Sequence, residues 1–336
     1  MDEPAPELSR FYRACEANDF DLVEQLLREQ TLEELDRMEP NDSTPLHVAS
    51  FHNSIGVVVL LLQRGFTRRI WNKYEKTPYE EIRDENKHLF NRDFSTHRFG
   101  GRISVEEELS IWVRLDANLK NIPTDYLQGN RLKYGALHID KICKQLRPMI
   151  NLDVIRRFLR QSLEGRDCIY LIQAYTAETD FYKRVNHYLL SRNEDNPLLE
   201  FVQTIYFNRE LHETYSYRGC CYRSICLNTL DDLGVFKKGS KISNRTFLST
   251  TQERTIAEEY IRNCNTSDQH VVMMIFQIRH SYTALDVQHI SEFPHEKEIL
   301  IMFDSVFEIT DIIQKDNNNS EIHLAEIRPT YRIINK

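Results

Sequence analysis

The feature that most constrains this chain is a short repeat. Asp42-Ser43-Thr44-Pro45-Leu46-His47-Val48-Ala49 is echoed by Glu75-Lys76-Thr77-Pro78-Tyr79-Glu80-Glu81-Ile82, and the two threonines are 77 − 44 = 33 residues apart. A unit this short cannot enclose a core, so each copy must bury its apolar face against a neighbour. The Thr-Pro step has a local cause: proline pre-sets the first helical turn, and the threonine hydroxyl can cap it. Between the copies, Val57, Val58, Leu60, Leu61 and Leu62 predict a short helix, stopped at Gly65, a residue suited to the left-handed step after a helix. A weaker copy lies upstream, with Ala14, Val23 and Leu26-Leu27 each 35 residues ahead of Ala49, Val58 and Leu61-Leu62.

Period and Thr-Pro step together resemble ankyrin repeats over about residues 7–90. The resemblance implies an all-α stack with a protein-recognition surface. Two or three repeats are few for a solenoid, so docking on the helices that follow is expected. Residues 91–145 read as a helical connector, with Leu109, Trp112 and Leu115 at helical spacing after a turn at Arg98-Phe99-Gly100-Gly101-Arg102.

At 336 residues the chain has room for about two domains of ~150 residues. Its 43 basic and 51 acidic residues leave a net charge of −8, the wrong sign for gripping phosphate backbones, so no nucleic-acid partner is expected. The apolar stretch Ser43 to Gln63 is broken by Pro45, His47, His52, Asn53 and Ser54, too polar for a membrane span. The acidic start Met1-Asp2-Glu3-Pro4 lacks the pattern of a signal peptide and the tail lacks an anchor motif; a cytoplasmic location is the expectation. None of the seven cysteines forms a Cys-x-x-Cys pair, and His270, His280, His289 and His295 lack the spacing of a helical metal site; no metal is expected. Phosphate-binding glycine loops are absent too.

From about residue 146 amphipathic helices give way, at Thr214, to short apolar strands, an α+β order. Arg156-Arg157-Phe158-Leu159-Arg160 reads as the solvated face of one helix. Strands are predicted at Thr214–Tyr217, Thr246–Ser249, Val271–Ile278 and Glu298–Phe303. Polar residues stand in or beside them where a core would prefer apolar ones. In Tyr217-Arg218-Gly219, an arginine suited to diphosphate precedes a glycine that admits a ligand to the backbone. Phe247-Leu248-Ser249-Thr250-Thr251 ends in consecutive hydroxyls. In Phe293-Pro294-His295-Glu296-Lys297-Glu298, strand alternation would put Glu296 and Glu298 on one face.

These motifs, in this order, resemble the arginine-serine-glutamate class of mono-ADP-ribosyltransferases, over about residues 146–336. Ala174-Tyr175-Thr176, Phe181-Tyr182 and Asn186 look like that family's N-terminal helices, and His289-Ile290-Ser291-Glu292-Phe293-Pro294 like its substrate-recognition turn. The resemblance implies an α+β domain of N-terminal helices plus a split β-sandwich, with NAD as co-substrate. It implies that Arg218 holds the NAD diphosphate, Gly219 offers backbone groups to nicotinamide, Ser249 orients the nicotinamide ribose and Tyr175 contributes to NAD binding. Glu298 would be the catalytic carboxylate and Glu296 the residue that receives an acceptor arginine; in the family, glutamate at that position accompanies transfer to arginine. Thr251 replaces a more usual serine and Met302 a more usual proline. The whole chain then reads as an ankyrin module fused to an enzyme that moves ADP-ribose from NAD to protein arginine. The alternative is an ankyrin interaction protein carrying a catalytically silent transferase-like domain.

Overall fold

The computed structural model describes residues 7–91, 110–115, 137–149, 151–177, 179–191, 193, 195–227, 236–263, 270–316 and 318–327. The first module runs through α1 (Arg10–Glu16), α2 (Phe20–Glu29), α3 (Leu32–Leu35), α4 (Pro45–Phe51), α5 (Ile55–Gln63) and α6 (Pro78–Glu81), and closes with a 3₁₀ turn at Asp84–Phe90. Thr44 and Thr77 are both N-caps with proline in the first turn, as the repeat predicts. Each belongs to a capping box, completed by His47 in one repeat and Glu80 in the other. His47 does more than cap. Its Nδ1 accepts from the Thr44 amide at 3.2 Å, and its Nε2 donates to the Lys76 carbonyl at 3.0 Å, joining one repeat to the next. That bonding requires a neutral ring, and burial lowers its pKa accordingly. Phe11, Val23, Leu26, Leu46, Val57, Val58, Leu61 and Phe66 form the shared core.

The second module contains α7 (Ile139–Gln145), α8 (Leu152–Gly165), α9 (Ile169–Thr176), α10 (Phe181–Ser191), α11 (Leu198–Phe207), α12 (Arg209–Tyr215) and α13 (Arg254–Asn263). Its strands are β1 (Trp112–Leu115), β2 (Gly219–Leu227), β3 (Lys241–Asn244), β4 (Leu248–Thr251), β5 (His270–Ile278), β6 (Ala284–Asp286), β7 (Glu298–Ile301), β8 (Val306–Gln314) and β9 (Asn319–Glu326). They lie in the order β1-β3-β8-β9-β5-β2-β4-β7-β6, and only β5 and β9 run parallel. Between β2 and β4 the ladder narrows to one register pair, Tyr222 opposite Thr251. The sheet folds over at this seam. Leu248, Ile299 and Ile301 from one side meet Ile225, Met274, Phe276 and Leu324 from the other in an apolar core. The opposite face of β4, β7 and β6 offers Leu300 and Leu285, which with Phe247 pack on the helices through Ile155, Phe158, Tyr175 and Phe201. This is the helices-plus-split-sheet arrangement that the resemblance implied.

The structure corrects several local expectations. Trp112–Leu115 is a strand, paired with Asn244–Lys241 of β3, where helical spacing had suggested a helix; a window this short does not distinguish the two periods. Residues 214–217 are not a strand. Asn208 caps α12 by accepting from the Leu211 amide, which carries the helix to Tyr215. Ser216 then makes an isolated bridge to Leu285 before β2 begins. The Arg98–Arg102 turn lies outside the described residues. Among the described residues no helix is long and apolar enough to cross a membrane.

The largest correction concerns the basic run on α8. Arg157 is buried, not solvated. Its Nη1 lies 2.6 Å from Oδ2 of Asp36 in the ankyrin module, and its Nη2 donates to the Gly65 carbonyl at 3.1 Å. The Asp36 carboxylate also accepts from the amide and hydroxyl of Thr67. Gly65 has φ +78°, and a Cβ there would come within 2.5 Å of Val154 on α8. The two modules are therefore closely packed, through a buried ion pair and a glycine that only its small size admits.

Two outcomes follow from this packing. Asp36→Asn strips Arg157 of its buried counter-charge and is expected to lower global stability by about 3–5 kcal/mol; an unchanged denaturant midpoint would show that the pair is not needed. His212 on α12 is the second buried neutral ring, with Nε2 donating to the Tyr206 carbonyl at 3.1 Å and burial depressing its pKa to about 4. Because the unfolded chain binds this proton more readily, its contribution is complete above about pH 6.5 and is lost as pH falls toward 4, up to about 3 kcal/mol. His47 adds in the same direction. Urea midpoints at pH 7.5 and pH 5 are expected to differ accordingly, and by less in His212→Gln.

Candidate active site

The seam between β2 and β4 gathers most of the residues singled out in the sequence. β4 and β7 pair with Ser249 opposite Leu300 and Thr251 opposite Glu298. Directly opposed residues share a face, and so do residues two apart on a strand. Ser249, Thr251, Glu298 and Leu300 therefore line the face turned toward the helices, where Leu300 packs. Leu248, Ile299 and Ile301 fill the sandwich core behind them. Alternation that is ordinary for a half-buried strand thus puts a hydroxyl and a carboxylate on the same face of adjacent strands. Glu298 is fully buried and Ser249 nearly so.

Thr250 and Thr251 serve the scaffold. Thr250 Oγ1 donates to the Ile299 carbonyl at 2.6 Å, and Thr251 Oγ1 donates to the Glu296 carbonyl at 2.9 Å while accepting from the Glu253 amide at 3.1 Å. The threonine that replaces a more usual serine thus keeps its hydroxyl fully engaged.

Arg218 directly precedes β2 and has an exposed side chain, whose Nη2 donates to Ser281 Oγ at 2.7 Å. The loop that carries Ser281 is held by Glu326. One carboxylate oxygen accepts from the amides of Arg279 (2.6 Å) and His280 (2.9 Å), and the other accepts from the Thr283 hydroxyl. Gly219 follows with φ +146°, and a Cβ there would lie 2.8 Å from the Tyr217 hydroxyl. That hydroxyl donates to the Cys220 carbonyl at 2.6 Å, and burial raises its pKa, so it remains protonated.

Glu296 is not on the strand. It ends a 3₁₀ turn, Pro294–Glu296, and Lys297 then takes a left-handed conformation with φ +46° before β7 starts at Glu298. Same-face placement by alternation therefore fails for this pair. What ties Glu296 to the seam is its own carbonyl, held by Thr251, and its side chain is buried.

Tyr175 lies on the helix side of the seam. It is buried in α9 with its ring edge-on to Phe247 at 5.4 Å and its hydroxyl donating to Asn186 at 3.4 Å. It backs the approach to β4.

Two supports were not picked out from the sequence. Arg223 on β2 is buried and its Nη1 donates to the Ser249 carbonyl at 3.1 Å, across the seam where only one register pair remains. Its signal was available: a lone arginine within Cys-Cys-Tyr-Arg-Ser-Ile-Cys-Leu. Glu326 had no comparable signal, because its partners are loop amides more than 40 residues away.

No three His, Cys, Asp or Glu side chains among the described residues are grouped so as to hold a metal ion. A cavity of about 550 Å³ lies elsewhere, between the modules, lined by Gly65, Phe66, Arg68, Val154, Glu292 and Phe293 among others; none of Arg218, Ser249 and Glu298 reaches it.

Comparison with known proteins now fixes the class. The family model described as NAD:arginine ADP-ribosyltransferase matches residues 161–331, and the ankyrin repeat model matches residues 41–70. The chain belongs to the NAD:arginine ADP-ribosyltransferase family, whose members use NAD as co-substrate. No curated protein matches it. Among solved structures, the ADP-ribosyltransferase HopU1 of Pseudomonas syringae superposes with a TM-score of 0.41 at 19% identity, covering 60% of this chain and 95% of its own. The Vis toxin of Vibrio splendidus superposes at 0.39 and 16%, covering 61% and 91%. Exoenzyme S of Pseudomonas aeruginosa superposes at 0.38 and 14%, covering 56% and 86%. These likenesses are distant, and the assignment stands on the family model.

Gly219→Ala tests the backbone at the seam. Its strained conformation and contact with Tyr217 are expected to cost about 1–3 kcal/mol, with weaker NAD binding in calorimetric titration; unchanged stability and affinity would show that the position tolerates a side chain.

Proposed function

We propose that this protein is an active mono-ADP-ribosyltransferase that transfers ADP-ribose from NAD to arginine side chains of proteins. The observation that carries the reading is the shared face of Ser249 and Glu298 on β4 and β7, with Arg218 and Gly219 at the start of β2, the strand whose Tyr222 pairs with Thr251. Residues 7–90 act as the ankyrin module and 146–336 as the transferase. The described parts of the connector, 110–115 and 137–145, belong with the transferase, because Trp112, Leu137, Ile142 and Cys143 join its cores.

In this reading Arg218 pairs with the diphosphate of NAD through its guanidinium fork, moving off Ser281 to do so. The glycine at 219 lets the nicotinamide amide approach the backbone. Ser249, steadied through Arg223, orients the nicotinamide ribose. Glu298 binds the ribose 2′-hydroxyl and stabilises positive charge at the anomeric carbon while the glycosidic C–N bond breaks and neutral nicotinamide leaves. A guanidine nitrogen of the acceptor then bonds to that carbon and surrenders a proton. Glu296 aligns the guanidinium and receives the proton, a step needed because free arginine holds its charge at neutral pH. Tyr175 supports the Phe247–Ser249 approach from behind.

Incubation with NAD and agmatine, a small guanidine, tests this directly. Nicotinamide release together with an agmatine adduct is expected; neither product would favour an ankyrin interaction protein with a silent transferase-like domain. Glu298→Gln keeps shape and loses charge, and is expected to cut both transfer and NAD hydrolysis by about 10²–10³. Glu296→Gln is expected to cut transfer to agmatine by roughly 10²–10⁴ while slow NAD hydrolysis persists, because water needs no guanidinium-aligning carboxylate. A common factor on both reactions would move Glu296 into the NAD site and remove the support for arginine as acceptor.

A further inference from the structure

We propose that the ankyrin module is a positioning element of the transferase: Arg68, Arg69 and Tyr79 hold the turn Ile290–Lys297 in the shape that presents Glu296. The proposal rests on the reading of Glu296 as the acceptor-facing carboxylate.

The contacts are specific. Glu292 is buried at the start of this turn. Its Oε2 accepts from the Arg68 amide at 3.3 Å, and its Oε1 lies 3.8 Å from Arg69 Nε. The Arg68 guanidinium lies 4.3 Å from the Phe293 ring centroid and donates to the Phe90 carbonyl at 3.1 Å. Tyr79, in the second Thr-Pro helix, stacks on His295 with centroids 4.8 Å apart and planes 10° from parallel. In the amide orientation that matches donors to acceptors, Gln173 on α9 accepts from Arg69 Nε at 2.6 Å. The Glu292 amide donates to Thr176 Oγ1 at 3.1 Å. Three of the four residues 292–295, namely Glu292, Phe293 and His295, are thus gripped from the ankyrin side, and the next residue is Glu296.

The physical consequence concerns position rather than charge. A 3₁₀ turn followed by a left-handed residue has little internal hydrogen bonding to fix it. Here three amides bond back within the turn, those of Phe293, Glu296 and Lys297, to Ser291 Oγ and to the Phe293 and Pro294 carbonyls. A buried carboxylate at its base stays in place when arginine compensates it, and a flat aromatic stack restricts the neighbouring ring. The seam residues Ser249 and Glu298, by contrast, are set by sheet register and do not depend on these contacts.

The test uses the full chain. Tyr79→Ala and Arg69→Met are expected to lower transfer to agmatine at least tenfold, mainly by raising KM for agmatine. NAD hydrolysis without acceptor is expected to stay within twofold, and Tyr79→Phe, which retains the stack, to restore transfer. Equal losses in both reactions, or a gain in transfer, would overturn the proposal, the gain marking the contact as a restraint instead. Hydrogen–deuterium exchange over residues 288–300 gives a readout independent of catalysis. Faster exchange there, with α8 unchanged, is expected in both variants; unchanged protection of the turn overturns the proposal even if the Glu296 reading holds. If exchange quickens and Glu296→Gln does not separate transfer from hydrolysis, the module positions the turn and the role given to Glu296 is what fails.

Discussion

Everything in the arrangement of this chain depends on how two modules of different periodicity are made to share a buried boundary. The short repeat cannot close its own core, and the boundary is sealed by the pair Asp36–Arg157 with no water-exposed side to either partner. Such a pair gains little over an apolar contact of equal volume, because desolvation offsets most of the attraction. Its value is directional. Asp36 is fixed by Thr67, Arg157 reaches past it to the Gly65 carbonyl, and each of these hydrogen bonds weakens steeply when its angle or length changes. An apolar patch would have tolerated sliding.

That fixed geometry sets what can happen at the seam. The sheet sets the groups proposed to face NAD through its register, which local pairing and core packing determine. The turn proposed to face the acceptor lies outside the register and is held from both sides, by Thr176, Thr251 and Gln252 of its own module and by Arg68, Arg69 and Tyr79 of the neighbouring one. The division matches the chemistry proposed for the two glutamates: one on a strand for the invariant part of the reaction, one on a turn for the acceptor. It also separates two kinds of burial. Glu298 is enclosed by its own domain, whereas Glu292 has its pKa raised by burial and pulled back chiefly by Arg69 and Arg157, two arginines that stand on opposite sides of the boundary.

How much of this was legible in sequence depends on whether the cause was local. The Thr-Pro caps, Gly65 and the strands at β5 and β7 were legible because capping, left-handed backbone and apolar alternation are written within a few residues. The motifs around Arg218, Ser249 and Glu298 could be read because each breaks an apolar pattern. Arg157 was misread because its helix shows an ordinary basic face, and the partner that buries it is 121 residues away. Glu296 was given the right neighbourhood and the wrong conformation, since nothing in Glu-Lys-Glu announces that Lys297 turns left-handed. The end of α12 was missed because the Asn208 cap outweighs the strand-like Thr214-Tyr215-Ser216-Tyr217 that follows.

The shared boundary also accounts for where the ankyrin signature departs from a free-standing repeat. The second Thr-Pro helix, α6, is only four residues long, too short to hold itself together or to bury a neighbour's face. In a solenoid a further repeat would cover it. Here Tyr79 turns toward His295 and Phe90, and the 3₁₀ turn Asp84–Phe90 brings Phe90 back into the repeat core. The transferase thus takes the place of the capping repeat, and the residue that would stack on it is spent on the acceptor turn. A repeat array ended in this way cannot be lengthened at its C-terminal edge without displacing the turn, which ties the small number of repeats to the activity proposed for the domain they cover.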